Sequence, residues 1–222
     1  MTGSATGLVL RARPLTETSL VLHWLTPEFG RMATVAKGAR RPQSPFFGKV
    51  DLFYMADLSF HRSRRSDLHT LREVGLRETH PALRQNMDRL RLAAYATAFI
   101  EQATETETPL PDVYELLRDF LACLCRQPAS PQLLFAFELK LLRELGLDPG
   151  QAETGLAAGT KKIAGILAEE DWGTSLRLKL TGSQTTELGR FLQGFLGIHL
   201  NRVPKGRAAA LAGAGDADSP AR

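Results

Sequence analysis

At Pro81 the apolar residues change their spacing, from every second position before it to every third or fourth position after it. Alternation is the pattern of a half-buried strand, and a 3.6-residue recurrence is the pattern of an amphipathic helix. The chain is therefore expected to be an α+β protein, with a strand-built part followed by a helix-built part. With 43% hydrophobic and 23% charged residues among 222, each part has enough apolar surface for a core of its own.

Residues 1–80 read as five short strands. The first, 6–13, ends at Pro14. The second, 18–26, runs into a turn at 27–30, and the third is 31–37. A basic, proline-rich loop at 38–48 precedes a long fourth strand, 50–61, whose alternation puts Val50, Leu52, Tyr54, Ala56, Leu58 and Phe60 on one face. A charged hairpin at 62–66 leads to the fifth strand, 67–79. Five short strands in about eighty residues predict a small closed barrel, of which the OB-fold is the common five-stranded case.

After Pro81, which suits the first helical position, Leu83, Met87, Leu90, Ala94 and Ala98 fall on one helix face. A second helix is expected near 111–126, with Val113, Leu116, Leu117, Phe120, Leu121 and Leu124 as its stripe. A third is capped by Ser130, has Pro131 at its first position, carries Leu133, Leu134, Phe137, Leu141 and Leu145, and stops at Gly146. Then come a Gly/Ala-rich loop at 148–159, a short helix at 161–170 and a small strand at 176–180. A last helix, capped by Ser183, buries Leu188, Phe191, Leu192, Phe195 and Leu196. Each stripe needs a partner, so the helices should form a bundle. The expected domains are an OB-fold barrel at 1–80, a helical bundle domain at 81–205 and a disordered tail at 206–222.

Charge points to a partner. Residues 1–80 hold twelve Lys and Arg against seven Asp and Glu, a net +5, whereas the remainder carries −1. That asymmetry suits a polyanion bound by the N-terminal third. No apolar run approaches the roughly 20 residues of a membrane span, and no signal peptide is evident, so a cytoplasmic protein is expected. Cys123 and Cys125, two apart on a helix, are poorly placed to bridge, and His23, His61, His69, His80 and His199 show no metal-ligand spacing with them. No phosphate loop, HExxH or GxSxG pattern appears. Neither an enzyme nor a cofactor is expected.

The binding candidates are cationic. Lys37, Arg40 and Arg41 cluster where the third strand enters its loop, with Gly38 free to turn sharply. Phe46 and Phe47 follow, and either close the barrel end or offer faces to nucleobases; cations beside exposed aromatic rings are the chemistry of single-strand binding. Arg62, Arg64 and Arg65 are either a solvated hairpin tip or a second contact. Arg11 and Arg13, placed on the same face as Val9, would extend the track.

The runs Gly7-Leu8-Val9-Leu10, Thr16-Glu17-Thr18-Ser19, Leu25-Thr26 with Gly30 after it, and Ala36-Lys37-Gly38-Ala39-Arg40-Arg41-Pro42 resemble the N-terminus of the bacterial RecO family. Residues 135–142 (FAFELKLL), followed by Leu145-Gly146, are similar to its helical core, and Pro204-Lys205-Gly206-Arg207 to its closing basic motif. The resemblance implies an OB domain followed by a helical domain in a recombination mediator of DNA repair. It further implies binding of single- and double-stranded DNA, strand annealing, cooperation with RecR, contact with the single-stranded DNA-binding protein, and loading of RecA, all in association with the nucleoid. Lys205 and Arg207 would give a secondary DNA path. Lys140 and Arg143 would rim a groove for an acidic, apolar-ended peptide. Many members carry a four-cysteine zinc module after the Leu-Gly, but residues 148–160 hold no cysteine, so no zinc is expected. The alternatives are an OB-fold adaptor that binds protein without nucleic acid, or a nuclease or hydrolase with a dispersed site.

Overall fold

Strand β1 (Thr2–Pro14) is long enough to serve two partners. Its first half pairs with β4 (Met55–His61) and its second half with β2 (Leu20–Thr26). With β3 (Gly30–Ala36) and β5 (Leu68–Glu78) the strands close into a barrel in the order β1-β2-β3-β5-β4, the β3–β5 pair being parallel and the others antiparallel. This is the five-stranded OB architecture. The computed structural model describes residues 2–149 and 155–215. They divide into a barrel unit, Met1–Pro81 with Thr104–Arg118, and a helical unit, Ala82–Ala103 with Asp119–Arg222. Residues 104–118, expected with the helices, thus belong to the barrel unit.

Val9, Leu22, Trp24, Met32, Leu58, Phe60 and Leu71 fill the barrel. The indole of Trp24, wholly buried, donates to Thr34 Oγ1 at 2.9 Å, which satisfies its one polar group inside the core. A bulge lies between Val9 and Arg11, where β1 bends from one partner to the other. It shifts the side-chain phase, so Leu8, Val9 and Leu10 are all buried whereas Arg11 and Arg13 are exposed. The two arginines therefore do not share Val9's face. Strand β4 is shorter than expected. Residues 51–54 form a turn, with Tyr54 N–H donating to Asp51 O and Phe53 at φ 66°. Ala56, Leu58 and Phe60 point inward as the alternation requires, and Val50 and Tyr54 pack against the core from the turn.

The helices are α1 (Pro81–Arg84), α2 (Met87–Ala103), α3 (Pro111–Arg126), α4 (Pro131–Glu144), α5 (Ala158–Glu169), α6 (Trp172–Arg177), α7 (Gly182–His199) and α8 (Arg207–Gly215). The first stripe read from sequence is incorrect. Helix α1 stops after one turn, and Asn86 Oδ1 accepts from the Asp88 and Arg89 N–H groups at 3.0 Å each, starting α2 anew. The restart resets the phase. Met87 is 61% exposed and Ala94 is exposed, while Leu92, Tyr95, Ala96, Phe99 and Ile100 are buried. Residues 176–180 are not a strand: Asp171 caps α6 by accepting from Thr174 N–H, and the chain then runs without regular structure to α7. Thr181, not Ser183, caps α7, in a reciprocal box with Gln184. The expected tail at 206–222 is helical over Arg207–Gly215. Residues 216–222, and 150–154 of the expected loop, lie outside the described residues.

Helix α4 is the axis of the helical unit. Ser130 caps it, Pro131 opens it, and Gly146, at φ 72°, follows its end. It is buried almost all round, and α2, α5, α6, α7 and α8 pack on it. Midway along it Glu138 is wholly buried. Arg207 of α8 donates to both its oxygens, Nε to Oε1 at 2.6 Å and Nη2 to Oε2 at 3.0 Å, and Tyr95 of α2 donates its hydroxyl to Oε1. Burial pushes the Glu138 carboxyl up, and the guanidinium and phenol partly offset that. Burial, then the neighbouring carboxylate, push the Tyr95 phenol well up. Removing one partner of such a pair strands a buried charge, which costs about 3–5 kcal/mol. Arg207→Ala is expected to destabilise the protein by that amount in urea unfolding. Replacing both residues with methionine is expected to recover most of the loss, because it removes the charge together with its partner.

Candidate nucleic-acid interface

The β1–β2 loop and the loop following β3 lie at one end of the barrel, where β1 and β3 finish and β2 begins. Backbone and side-chain bonds fasten them together. Arg40 N–H donates to Thr18 O at 3.0 Å, Gly38 N–H to Ser19 Oγ at 3.3 Å, and Arg40 Nη1 to Thr16 O at 3.4 Å. Gly38 stands at φ 70°, a conformation that side chains resist, and so turns the chain out of β3. Ala39 is buried in the barrel core, while Lys37, Arg40 and Arg41 on either side of it are exposed. Among the described residues no carboxylate pairs with these three cations. Exposed Arg13 stands next to last in β1 at the same barrel end, and Arg11 lies one outward position earlier. Lys49, also exposed in the loop, was missed because the sequence reading closed the basic loop at Gly48.

The same loop separates its two phenylalanines. Phe46 is buried in the barrel core and Phe47 is exposed. Phe46 thus closes the barrel, and Phe47 faces solvent.

The hairpin at 62–66 joins the end of β4 to the start of β5, so it lies at the opposite end of the barrel strands. The structure does not bring its arginines together with Lys37, Arg40 and Arg41. Arg62 is engaged: Nη2 contacts Glu107 Oε2 at 2.6 Å, and Glu107 Oε1 meets His69 Nε2 at 2.9 Å. His69 Nδ1 in turn accepts from Ser63 N–H at 3.3 Å, which fixes the hairpin's base. Arg64 and Arg65 are exposed at the tip.

In the helical unit, the closing basic motif divides. Lys205 is exposed, but Arg207 is buried against Glu138 and cannot meet a phosphate, which corrects its expected role. Lys140 is likewise occupied. Its Nζ donates to Ala168 O at 3.4 Å and to Glu170 O, and sits 5.6 Å above the Trp172 ring, so it closes the end of α5 rather than rimming a groove. Burial lowers its pKa. Arg143 does border a cleft of about 610 Å³, lined also by the cation Lys161, the carboxylates Asp148 and Glu169, and the apolar Leu139, Ala164 and Phe191. Lys161 was not foreseen, because nothing local in the sequence places α5 beside α4. Among the described residues no group of three His, Cys, Asp or Glu side chains is arranged to hold a metal ion, and no helix is long and apolar enough to cross a membrane.

Residues 1–80 match the family described as Recombination protein O N terminal, and residues 84–153 match Recombination protein O C terminal. Curated proteins named DNA repair protein RecO are similar to the chain. That of Syntrophus aciditrophicus (strain SB) is 29% identical over 143 residues, covering 64% of this chain and 55% of the relative. That of Anaeromyxobacter sp. (strain K) is 34% identical over 144 residues, covering 65% and 57%. That of Alkaliphilus metalliredigens (strain QYMF) is 28% identical over 231 residues, covering 89% and 93%. The match thus spans little more than half the length of the first two relatives and nearly the whole of the third.

Glu107 governs how the hairpin is held. The hydrogen bond from Arg62 keeps its carboxyl below the usual value of 4.5, with His69 adding to the effect. A carboxyl lowered by folding contributes stability above its unfolded pKa and loses it as pH falls through the folded one. Glu107→Gln is expected to flatten the loss of stability between about pH 5 and pH 3, read as urea midpoints across that range.

Proposed function

The chain belongs to the RecO family, and from that premise we propose that it is a DNA-binding recombination mediator of DNA repair, acting by charge neutralisation rather than by catalysis. One observation carries the proposal. Lys37, Arg40 and Arg41 stand exposed at one barrel end, without carboxylate partners among the described residues, on a loop anchored in the core. Such cations release counterions from a polynucleotide and hold it without regard to sequence. Arg13 lies at the same end, and Arg11 extends the surface along β1. Arg64, Arg65 and Lys205, exposed elsewhere, are secondary contacts.

Annealing follows from the same physics. Two complementary strands repel through their phosphates, and a shared cationic surface lowers that repulsion while keeping the strands within pairing distance. Single- and double-stranded DNA are both ligands, because each presents the phosphate chain that the cations contact. In this reading the protein works with RecR and assists the loading of RecA. The cleft bordered by Arg143 and Lys161 receives the acidic, apolar-ended tail of the single-stranded DNA-binding protein: the two cations suit its acidic residues and Leu139, Ala164 and Phe191 its apolar end, while Asp148 and Glu169, which also line the cleft, confine the acidic part to the basic side.

The test is a salt titration. Replacing Lys37, Arg40 and Arg41 together with alanine is expected to weaken oligonucleotide binding on the order of 10–100-fold near 0.1 M salt, and to reduce the slope of log K against log salt by about 2. A triple variant that anneals DNA like the wild type, with the same slope, overturns the assignment.

A further inference from the structure

Phosphate contacts alone do not distinguish a single strand from a duplex; a face that stacks on an unpaired base does. The loop after β3 presents one such face. Its chain is wound in successive turns, with Arg41 N–H donating to Gly38 O at 3.0 Å, Ser44 N–H to Arg41 O at 3.0 Å, Phe47 N–H to Ser44 O at 3.1 Å and Lys49 N–H to Phe46 O at 3.0 Å. Ser44 Oγ also accepts from Phe46 N–H at 3.2 Å. Phe46 is inserted in the barrel core at 5% exposure, and its neighbour Phe47 is turned to solvent at 63%. The loop thus combines a fixed backbone, one ring as anchor and one ring held out.

The charged residues that flank the outward ring along the loop, from Arg40 to Lys49, are all cations. Arg41 precedes it by two turns, Lys49 follows it by two residues, and both are exposed. Asp51, the loop's one acidic residue, accepts from Leu52 N–H within its own turn. Glu17, on the β1–β2 loop at the same barrel end, is exposed, as is Leu15 at 51%. A bare aromatic ring keeps an apolar face in water, and a planar nucleobase beside a chain of phosphates is the ligand that fits both the ring and its cations.

We infer that Phe47 is a base-stacking residue, which gives the basic barrel end a preference for unpaired DNA. This rests on the proposed DNA-binding reading and names the part of the ligand that the cations cannot sense. The stack adds no charge, so it acts on affinity for single strands and leaves the salt slope unchanged.

The test uses the full chain and three fluorescent probes: oligo(dT), an abasic strand of equal length, and a hairpin duplex. Wild type is expected to bind oligo(dT) more tightly than the abasic strand. Phe47→Ala is expected to lose about fivefold or more of its oligo(dT) affinity. Its affinity for the abasic strand and the duplex, and its salt slope, should match wild type. Phe47→Trp should keep the preference, and its fluorescence should quench on oligo(dT). A Phe47→Ala variant that still favours oligo(dT) over the abasic strand by the wild-type ratio overturns the inference, and so does one that loses duplex and single-strand binding equally; either result leaves the ring to a protein partner. A wild type that binds none of the probes overturns the DNA-binding reading itself, which separates the two failures.

Discussion

A carboxylate has no place in the middle of an apolar helix unless something holds its charge. Glu138 sits there, on the helix around which α2, α5, α6, α7 and α8 pack, with Phe120 of α3 against its Phe137 at 4.6 Å between ring centres. Its two oxygens are covered from both sides, by Arg207 from the end of the described chain and by Tyr95 from α2. The bidentate fork fits a guanidinium better than any other cation. The geometry leaves α8 little freedom. A nine-residue segment rich in Ala and Gly is too short to be a stable helix in isolation, so its position depends on that ion pair and on its packing against α2 and α4.

In the barrel unit the corresponding constraint is hydrophobic. Ala39 and Phe46 enter the core from the loop that follows β3, and between and beside them the exposed residues have nowhere to go but outward. A loop tied down at two points and wound in i+3 turns holds its cations with little entropy left to lose on binding, which favours a fixed basic surface over a mobile basic tail. At the other barrel end the cations are used differently. Arg62 and Glu107 hold the hairpin to residues 104–110, so part of that positive charge serves the fold.

How far the sequence could be read follows from the range of each interaction. The boundaries of α3 and the Ser130 cap of α4 come from local rules, and both stand as expected. Barrel closure with five strands also follows from periodicity and turn spacing. Failures cluster where one residue changes the phase: the bulge in β1 that moves Arg11 and Arg13 off Val9's face, and Asn86, which restarts a helix and rotates its buried stripe. The site shows the same division. That Lys37, Arg40 and Arg41 are cationic is plain in the sequence. That Arg62 and Arg207 meet carboxylates is not, because Glu107 lies 45 positions from the first and Glu138 lies 69 from the second.

Two motifs that resemble the same family therefore play opposite physical roles. In the segment around Lys37 the apolar anchors are the neighbours of the cations, and the cations are presented to solvent. In the closing segment the arginine is itself the anchor. Residues 155–160, the described end of the cysteine-free region, show a third solution. There the start of α5 has only Ala157 at its cap, which offers no side-chain acceptor. Glu187 of α7 supplies one: Ala157 N–H donates to Oε1 at 2.7 Å, and the Thr160 hydroxyl donates to Oε2. Those bonds, the Thr160 hydroxyl foremost, hold the Glu187 carboxyl below its usual value, so the helix start keeps an anion against its positive end at neutral pH. A carboxylate cap of this kind joins α5 to α7, and the cleft bordered by Lys161 is built on that junction.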